Sequence, residues 1–214
     1  MLVEKWMTRT PVTIQEDDSL ATVRRLMKEK RVRRLPVLKG DKLVGVVTDR
    51  DLAAASPSKA TTLDVWEIHA ILEQLKVAEI MTPNPLTIRP GDTVEKAALI
   101  MIERKFGGLP VVSPEGALIG ILTQHDIFRA LVGVTGAALH KTRVSVLVPD
   151  EPGAVGDVTN ICRSHGGKIL SILVSYDRVP VGKREVILRT DADDYEPLRR
   201  ELAAKFGNAA VTHD

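Results

Sequence analysis

Two seven-residue stretches of this 214-residue chain follow one pattern: glycine, two apolar residues, threonine, any two residues, aspartate. They are Gly45-Val46-Val47-Thr48-Asp49-Arg50-Asp51 and Gly120-Ile121-Leu122-Thr123-Gln124-His125-Asp126. A threonine followed three residues later by an acid, ahead of an apolar run, is a helix capping box. The same spacing sets a carboxylate at a helix start, where it can accept hydrogen bonds from both hydroxyls of a ribose. The adjoining helix N-terminus suits a phosphate. Capping and binding are compatible roles for Thr48 and Thr123, and two copies in register favour more than capping for Asp51 and Asp126. Arg50 and His125, each just before its aspartate, can reach a phosphate.

Further candidates lie upstream. Thr13 and Thr87 offer hydroxyls to the polar edge of a ligand, although β-branched threonine is also a favoured strand residue. Val12 and Leu86, with Pro36-Val37 and Pro110-Val111, can line an apolar slot for a flat base or simply be core. Residues 24–34 hold Arg24, Arg25, Lys28, Lys30, Arg31, Arg33 and Arg34. This is either a solvated helix face or, in Arg33 and Arg34, a pair of cations placed to meet a phosphate. The matching stretch later in the chain keeps only Arg104 and Lys105 and has Gly107-Gly108.

The elements that must position these groups occur twice. Met7-Thr8, Pro11, Thr13-Ile14, Asp18, Met27, Glu29 and Leu35-Pro36-Val37 return 74 positions later as Met81-Thr82, Pro85, Thr87-Ile88, Asp92, Met101, Glu103 and Leu109-Pro110-Val111. One extra turn residue then shifts the offset to 75, and Gly45, Thr48 and Asp51 return as Gly120, Thr123 and Asp126. Such a period signals stacked units that each leave a hydrophobic face for a neighbour. Packed as a pair, equivalent residues face each other across a two-fold axis, a natural place for a small ligand. Each repeat reads as an exposed M-T-x-x-P-x-T-I segment and a short strand with Pro11 or Pro85 at its beginning. A helix capped by Asp18-Ser19 or Asp92-Thr93 follows. Two strands (35–38 and 43–48; 109–112 and 118–123) and a helix from near Asp51 or Asp126 complete the unit. Between the repeats, 56–62 reads as a loop and 64–75 as a helix.

After a Gly/Ala-rich hinge or helix end at 132–139 comes a different unit. A strand at 144–148 leads through Asp150-Glu151-Pro152-Gly153 into a helix, with Asp150 at the cap and Pro152 in the first turn. Strands at 169–176 and 185–189, a helix at 195–205 and an edge strand at 209–212 follow. The order β-α-β-β-α-β is that of a ferredoxin-like sandwich.

Composition narrows the function classes. A hydrophobic content of 44% with 27% charge fits a globular protein, and the longest apolar runs are strand-sized, far short of a membrane helix. A formal charge of +2 is too near zero to imply a nucleic-acid partner, and the basic run at 24–34 has only Phe106 as a nearby aromatic, so no stacking platform forms. The N-terminal residues lack an apolar signal region, and one cysteine, Cys162, fits a reducing cytoplasm. His69, His125, His140, His165 and His213 have no metal-ligand spacing. No P-loop, nucleophile elbow or dinucleotide glycine pattern occurs.

The repeated motifs resemble the CBS domain, present as a tandem pair (a Bateman module) over residues 2–56 and 77–132. In that family the aspartate of T-x-x-D holds ribose, the threonine lies near it and the first strand contacts the base. AMP, ADP, ATP or a related adenosyl compound is the usual ligand. The resemblance implies one site at Thr48 and Asp51, another at Thr123 and Asp126, and Thr13 and Thr87 beside the base. Residues 142–214 are similar to an ACT domain, with Asp150-Glu151-Pro152-Gly153 as its D-x-P-G turn. Effectors of amino-acid-sensing relatives bind near that turn, commonly at a dimer interface, which implies Asp150, Pro152 and Gly153 as effector contacts. The chain departs from the pattern at Gly167-Lys168-Ile169, where relatives often carry Asn before Ile, so a purely dimerising role stands beside amino-acid sensing. The whole order resembles the acetoin-utilisation AcuB type.

The expected fold class is therefore α+β: a tandem CBS pair of two β-α-β-β-α-like repeats about a pseudo-two-fold axis, then a ferredoxin-like βαββαβ ACT domain. Expected boundaries are 1–56 and 77–133 for the repeats, 57–76 for the loop and helix between them, 134–141 for a linker and 142–214 for the ACT-like domain. The expected function is regulatory sensing of an adenine nucleotide in the cleft between the repeats, signalled by conformational or oligomeric change. No catalytic residue, metal or cofactor is expected, the nucleotide being a regulatory ligand. The chain is expected to be a cytoplasmic homodimer acting on a protein target, with neither membrane nor nucleic acid as partner. The alternatives are a dimerising scaffold with ACT-mediated amino-acid sensing and empty CBS sites, and a nucleotide-processing enzyme.

Overall fold

Hydroxyl caps open the first long helix of both repeats. In the computed structural model, which describes residues 1–56, 64–192 and 194–213, Ser19 accepts from the N–H of Thr22 and Thr93 from that of Lys96. Asp18 and Asp92, expected beside them as caps, instead fold the preceding turn by accepting from the N–H groups of Gln15 and Arg89. Both helices end at a residue with positive φ, Arg31 at 53° and Lys105 at 56°, the left-handed stop that closes a helix.

The chain forms two compact units, Met1–Ile127 and Phe128–Asp214. The first begins with a 3₁₀ turn, Val3–Lys5, then β1 (Thr8–Arg9), β2 (Ile14–Gln15), α1 (Leu20–Lys30), β3 (Arg34–Lys39), β4 (Lys42–Thr48) and α2 (Asp49–Ala55). It continues with α3 (Val65–Gln74), α4 (Val77–Ile80), β5 (Thr82–Pro83), α5 (Val94–Arg104), β6 (Gly108–Val112), β7 (Leu118–Thr123) and the start of α6 (Gln124–Thr135). The helix read at 64–75 is thus present as α3; of the loop read at 56–62, residues 57–62 lie outside the described residues. Thr13 stands just ahead of β2 and Thr87 just ahead of Ile88, which makes a single bridge to Val111, so neither lies in a strand, and Pro11 and Pro85 lie outside the strands as well.

The sheets exchange strands between repeats. One is ordered β2-β3-β4-β5 and the other β1-β7-β6, so the leading segment of each repeat completes the other's sheet. The backbone bonds are reciprocal under the 74-residue offset: Val3 N–H to Asp92 O and Val77 N–H to Asp18 O; Glu4 to Pro90 and Ala78 to Glu16. The exchange gives the repeated methionine and glycine a common purpose. A Cβ on Gly120 would lie 2.7 Å from the sulfur of Met7 and 3.0 Å from the carbonyl of Thr8, and one on Gly45 would collide with Met81. Only glycine lets the exchanged segment lie this close. Val3 and Met7 accordingly join the core of Leu109, Val111 and Leu122, and Val77 joins that of Val37 and Val47.

The second unit holds the rest of α6, a 3₁₀ turn at Ala137–Leu139, and β8 (Thr142–Pro149), α7 (Ala154–Ser164), β9 (Ile169–Ser175), β10 (Lys183–Thr190), α8 (Tyr195–Phe206) and β11 (Ala210–His213). Helix α6 runs to Thr135, so 132–135 is helical and the chain turns at Gly136, φ 66°. The antiparallel sheet is ordered β11-β8-β10-β9, the ferredoxin-like arrangement. Alternation on β8 buries Val144, Val146 and Val148 against Val158 and Ile161 of α7 and Leu198 and Leu202 of α8.

Candidate functional site

The two T-x-x-D motifs close the same hydrogen-bond ring. Thr48 donates its N–H (2.8 Å) and its hydroxyl (2.7 Å) to Oδ2 of Asp51, whose N–H returns a 3.4 Å bond to Thr48 Oγ1. Thr123 and Asp126 repeat this at 2.9, 2.6 and 3.4 Å. The capping box is real at both helix starts, and it fixes the carboxylate through one oxygen. Among the described residues, Oδ1 of Asp51 takes no hydrogen bond. Asp126 is buried and Asp51 half-buried.

Beside each threonine stands the pair that distinguishes the repeats. Arg34 is the cross-strand neighbour of Thr48, and Gly108 that of Thr123. The N–H of Asp49 bonds the carbonyl of Arg33 at 2.9 Å, and that of Gln124 the carbonyl of Gly107 at 3.1 Å. The Arg34 side chain reaches onto the second repeat: a Cβ on Gly108 would lie 2.5 Å from a guanidinium nitrogen, and one on Gly107 would also strike it. Burial holds the Arg34 pKa below the usual arginine range; Asp49 pulls the other way, and Arg33 and Arg50 add repulsion. Arg33, Arg50 and His125 are exposed.

The remaining candidates divide. Thr13 and Thr87 are half-buried, Val12 is half-buried and Leu86 is 46% exposed, whereas Val37 and Val111 are fully buried core. Of these four apolar positions only Val12 and Leu86 keep exposed surface.

The D-x-P-G turn corrects an expectation. The cap of α7 is Gly153, φ 93°, with no side-chain cap bond, and the helix starts at Ala154, so Asp150 is not the cap and Pro152 precedes the helix. Asp150 instead accepts from the hydroxyl of Tyr176 at 3.2 Å and pairs with Arg184 at 3.5 Å. Arg184 also donates to the carbonyl of Glu151 at 2.7 Å. Arg184 was not among the sequence candidates. Its only local signal is a cation on the strand that pairs with the turn's entry, Arg184 opposite Val148. Pro152 and Gly153 are exposed. Cys162 is buried, and burial pushes its thiol up to about 11, so a thiolate nucleophile is unavailable near neutral pH. Among the described residues no group of three or more His, Cys, Asp or Glu could hold a metal ion, and no helix is long and apolar enough to cross a membrane.

The CBS domain model matches residues 3–58 and 77–133, and the ACT domain model residues 142–207. This chain belongs to the CBS-domain family. Its CBS repeats form a tandem pair, with the ACT domain C-terminal. One curated relative is an inosine-5′-monophosphate dehydrogenase of Korarchaeum cryptofilum, 38% identical over 125 residues. That stretch is 58% of this chain but 23% of the relative, so the chain spans less than a quarter of that protein. Among solved structures, CBSX2 of Arabidopsis thaliana in complex with AMP is 33% identical with a TM-score of 0.53, over 61% of this chain and 96% of that one. The CBS domain pair of protein MJ0100, in complex with 5′-methylthioadenosine and S-adenosyl-L-methionine, is 26% identical with a TM-score of 0.51, over 61% and 99%. A Vibrio cholerae protein assigned to acetoin utilization (AcuB) is 27% identical with a TM-score of 0.53, over 65% and 96%.

Proposed function

We propose that this chain is a non-catalytic regulatory sensor that binds AMP, ADP, ATP or a related adenosyl compound between its CBS repeats. The observation that carries the reading is the duplicated Thr–Asp ring, with a carboxylate held through one oxygen at each of two matching helix starts. It is supported by two CBS-pair relatives whose structures contain adenosyl ligands. In this reading Asp51 and Asp126 accept from ribose hydroxyls and Thr48 and Thr123 orient them. Thr13 and Thr87 meet the base with Val12 and Leu86. Arg33, Arg34, Arg50 and His125 face the phosphates.

Binding alone shifts nothing; the ligand must favour one arrangement of the protein over another. The ACT domain is the proposed relay, as a homodimer of cytoplasmic chains acting on a protein target. Support for the dimer comes from β9, one of the sheet's two edge strands. Its sequence Ile169-Leu170-Ser171-Ile172-Leu173-Val174-Ser175 carries neither charge nor proline, the devices that normally protect an edge. A dimerising role for the ACT domain is favoured over amino-acid sensing, because Asp150 is already engaged by Tyr176 and Arg184. A thermal-shift screen of adenine nucleotides, S-adenosylmethionine, NAD and amino acids tests the reading. At one hundred times its dissociation constant a ligand adds roughly 2.7 kcal/mol, on the order of 5–10 °C for a chain of this size. No shift with any adenosyl compound, alongside a shift with an amino acid, would replace this reading with the ACT-sensing one.

A further inference from the structure

Helix α1 presents a row of one charge. Leu20, Val23 and Met27 are its buried residues, the last two packed in the core with Val37 and Val47. Spacings of four and three residues put Arg24, Lys28 and Arg31 in line, with Arg25 beside them, and all four are exposed. The row is about 10 Å long.

Nothing in the fold asks for it. Under the 74-residue offset the buried positions of α1 return on α5 as Val94, Ala97 and Met101, and Glu29 returns as Glu103. Arg24, Arg25 and Lys28 return as Ala98, Leu99 and Ile102; of the four, only Arg31 keeps a cation, as Lys105. Cations in the last turn complement the helix dipole, which accounts for Lys28 and Lys30 but not for Arg24 and Arg25. Like charges three and four residues apart oppose the helix, and α1 has no acid in its first turn. Glu29 answers Arg25 at 3.6 Å. Among the described residues Arg24, Lys28 and Arg31 have no ion pair. Helix surfaces normally intersperse both signs, so a one-sign row kept at a local cost in stability answers to something outside the chain.

The row also selects among polyanions. It exposes no aromatic on which a base can stack. The apolar stripe of α1 is buried in its own core, which leaves nothing to enter a lipid surface. A whole-chain charge of +2 draws no extended polyanion from a distance. Carboxylates fit best: the guanidinium forks of Arg24, Arg25 and Arg31 match them two bonds at a time, and a patch this short suits a single acidic segment.

We propose that α1 is the docking face for the sensor's protein target, binding an acidic segment of that partner through Arg24, Arg25, Lys28 and Arg31. The statement rests on the sensor reading only in calling the partner a target; the face itself needs no nucleotide.

Fluorescence anisotropy of labelled poly-L-glutamate, titrated with the full chain at about 0.15 M salt, tests it. The native chain is expected to bind saturably. Arg24→Gln, Lys28→Gln and Arg31→Gln together are expected to weaken binding at least about tenfold. Thermal unfolding of that variant should be unchanged or later, because repulsion along the helix is removed. Lys28→Glu alone, a reversal within the row, should weaken binding as well. The combination Lys42→Gln, Lys168→Gln and Lys183→Gln removes the same charge from exposed positions elsewhere and should bind as the native chain does. Equal weakening in both triple variants reduces the effect to net charge and overturns the proposal, as does a native chain that binds no poly-L-glutamate. Tighter binding of a DNA duplex or of phosphatidylglycerol vesicles through the same residues overturns it in favour of nucleic acid or a membrane. The titrations contain no nucleotide, so their failure leaves the sensor reading standing. Failure of every adenosyl compound in the thermal-shift screen, with poly-L-glutamate still held by α1, sinks the sensor reading alone.

Discussion

Asp51 and Asp126 are each held by a threonine through one carboxylate oxygen, and this local ring is why the motif could be recognised in the sequence. A capping box involves residues three apart and needs no knowledge of the rest of the fold. Its cost on removal is also local: Asp51→Ala or Asp126→Ala should destabilise the chain by about 0.5–2 kcal/mol, read from denaturant unfolding. Arg184 was illegible for the opposite reason. Its partners Asp150 and Tyr176 directly follow the ends of β8 and β9, and only the register of β10 against those strands brings them together. Arg184→Met leaves Asp150 and the Glu151 carbonyl without their cation. A stability loss of about 1–3 kcal/mol is expected, with the fold kept by circular dichroism. Cys162, buried with its thiol raised, should resist alkylation at pH 8 in the native chain and react fully once denatured.

At the level of elements, strands β1 and β5 show where sequence patterns fall short. The M-T-x-x-P-x-T-I segment marks each repeat plainly, yet its partner strand lies in the other repeat, and no periodicity encodes a pairing such as Thr8 with Ile121. The glycine of each T-x-x-D motif carried a hint. Its lack of a side chain answers the methionine of the exchanged segment, Met7 on Gly120 and Met81 on Gly45. Gly120→Ala, with the Thr8 carbonyl unable to retreat, should destabilise by about 1–3 kcal/mol; an unchanged denaturation midpoint would show the exchange to be loosely packed. The longer helices α1, α3, α5, α7 and α8 and the paired strands β3–β4 and β6–β7 were legible because their periodicities are short-range, whereas the four-residue α4 carries no such signal. On β9, Ile172 and Val174 are exposed at the open edge. Ile172→Lys should convert a dimer to monomer in sedimentation velocity, since a lysine on the edge opposes strand pairing.

Taken as a whole, the molecule joins a tandem CBS pair to a ferredoxin-like unit whose edge strands are β9 and β11. The family and the α+β architecture followed from the repeat and the element order. The Arg34–glycine contact did not, because it depends on which two equivalent positions meet at the axis. Sensing requires that the paired carboxylates of Asp51 and Asp126 grip one ligand class. The most direct measurement is a calorimetric titration of the full chain with 5′-methylthioadenosine and AMP, repeated on the Asp51→Ala, Asp126→Ala double variant. The account predicts saturable binding to the native chain and its loss in a double variant that still folds. Absence of saturable binding to the native chain, or binding that survives removal of both carboxylates, would contradict it.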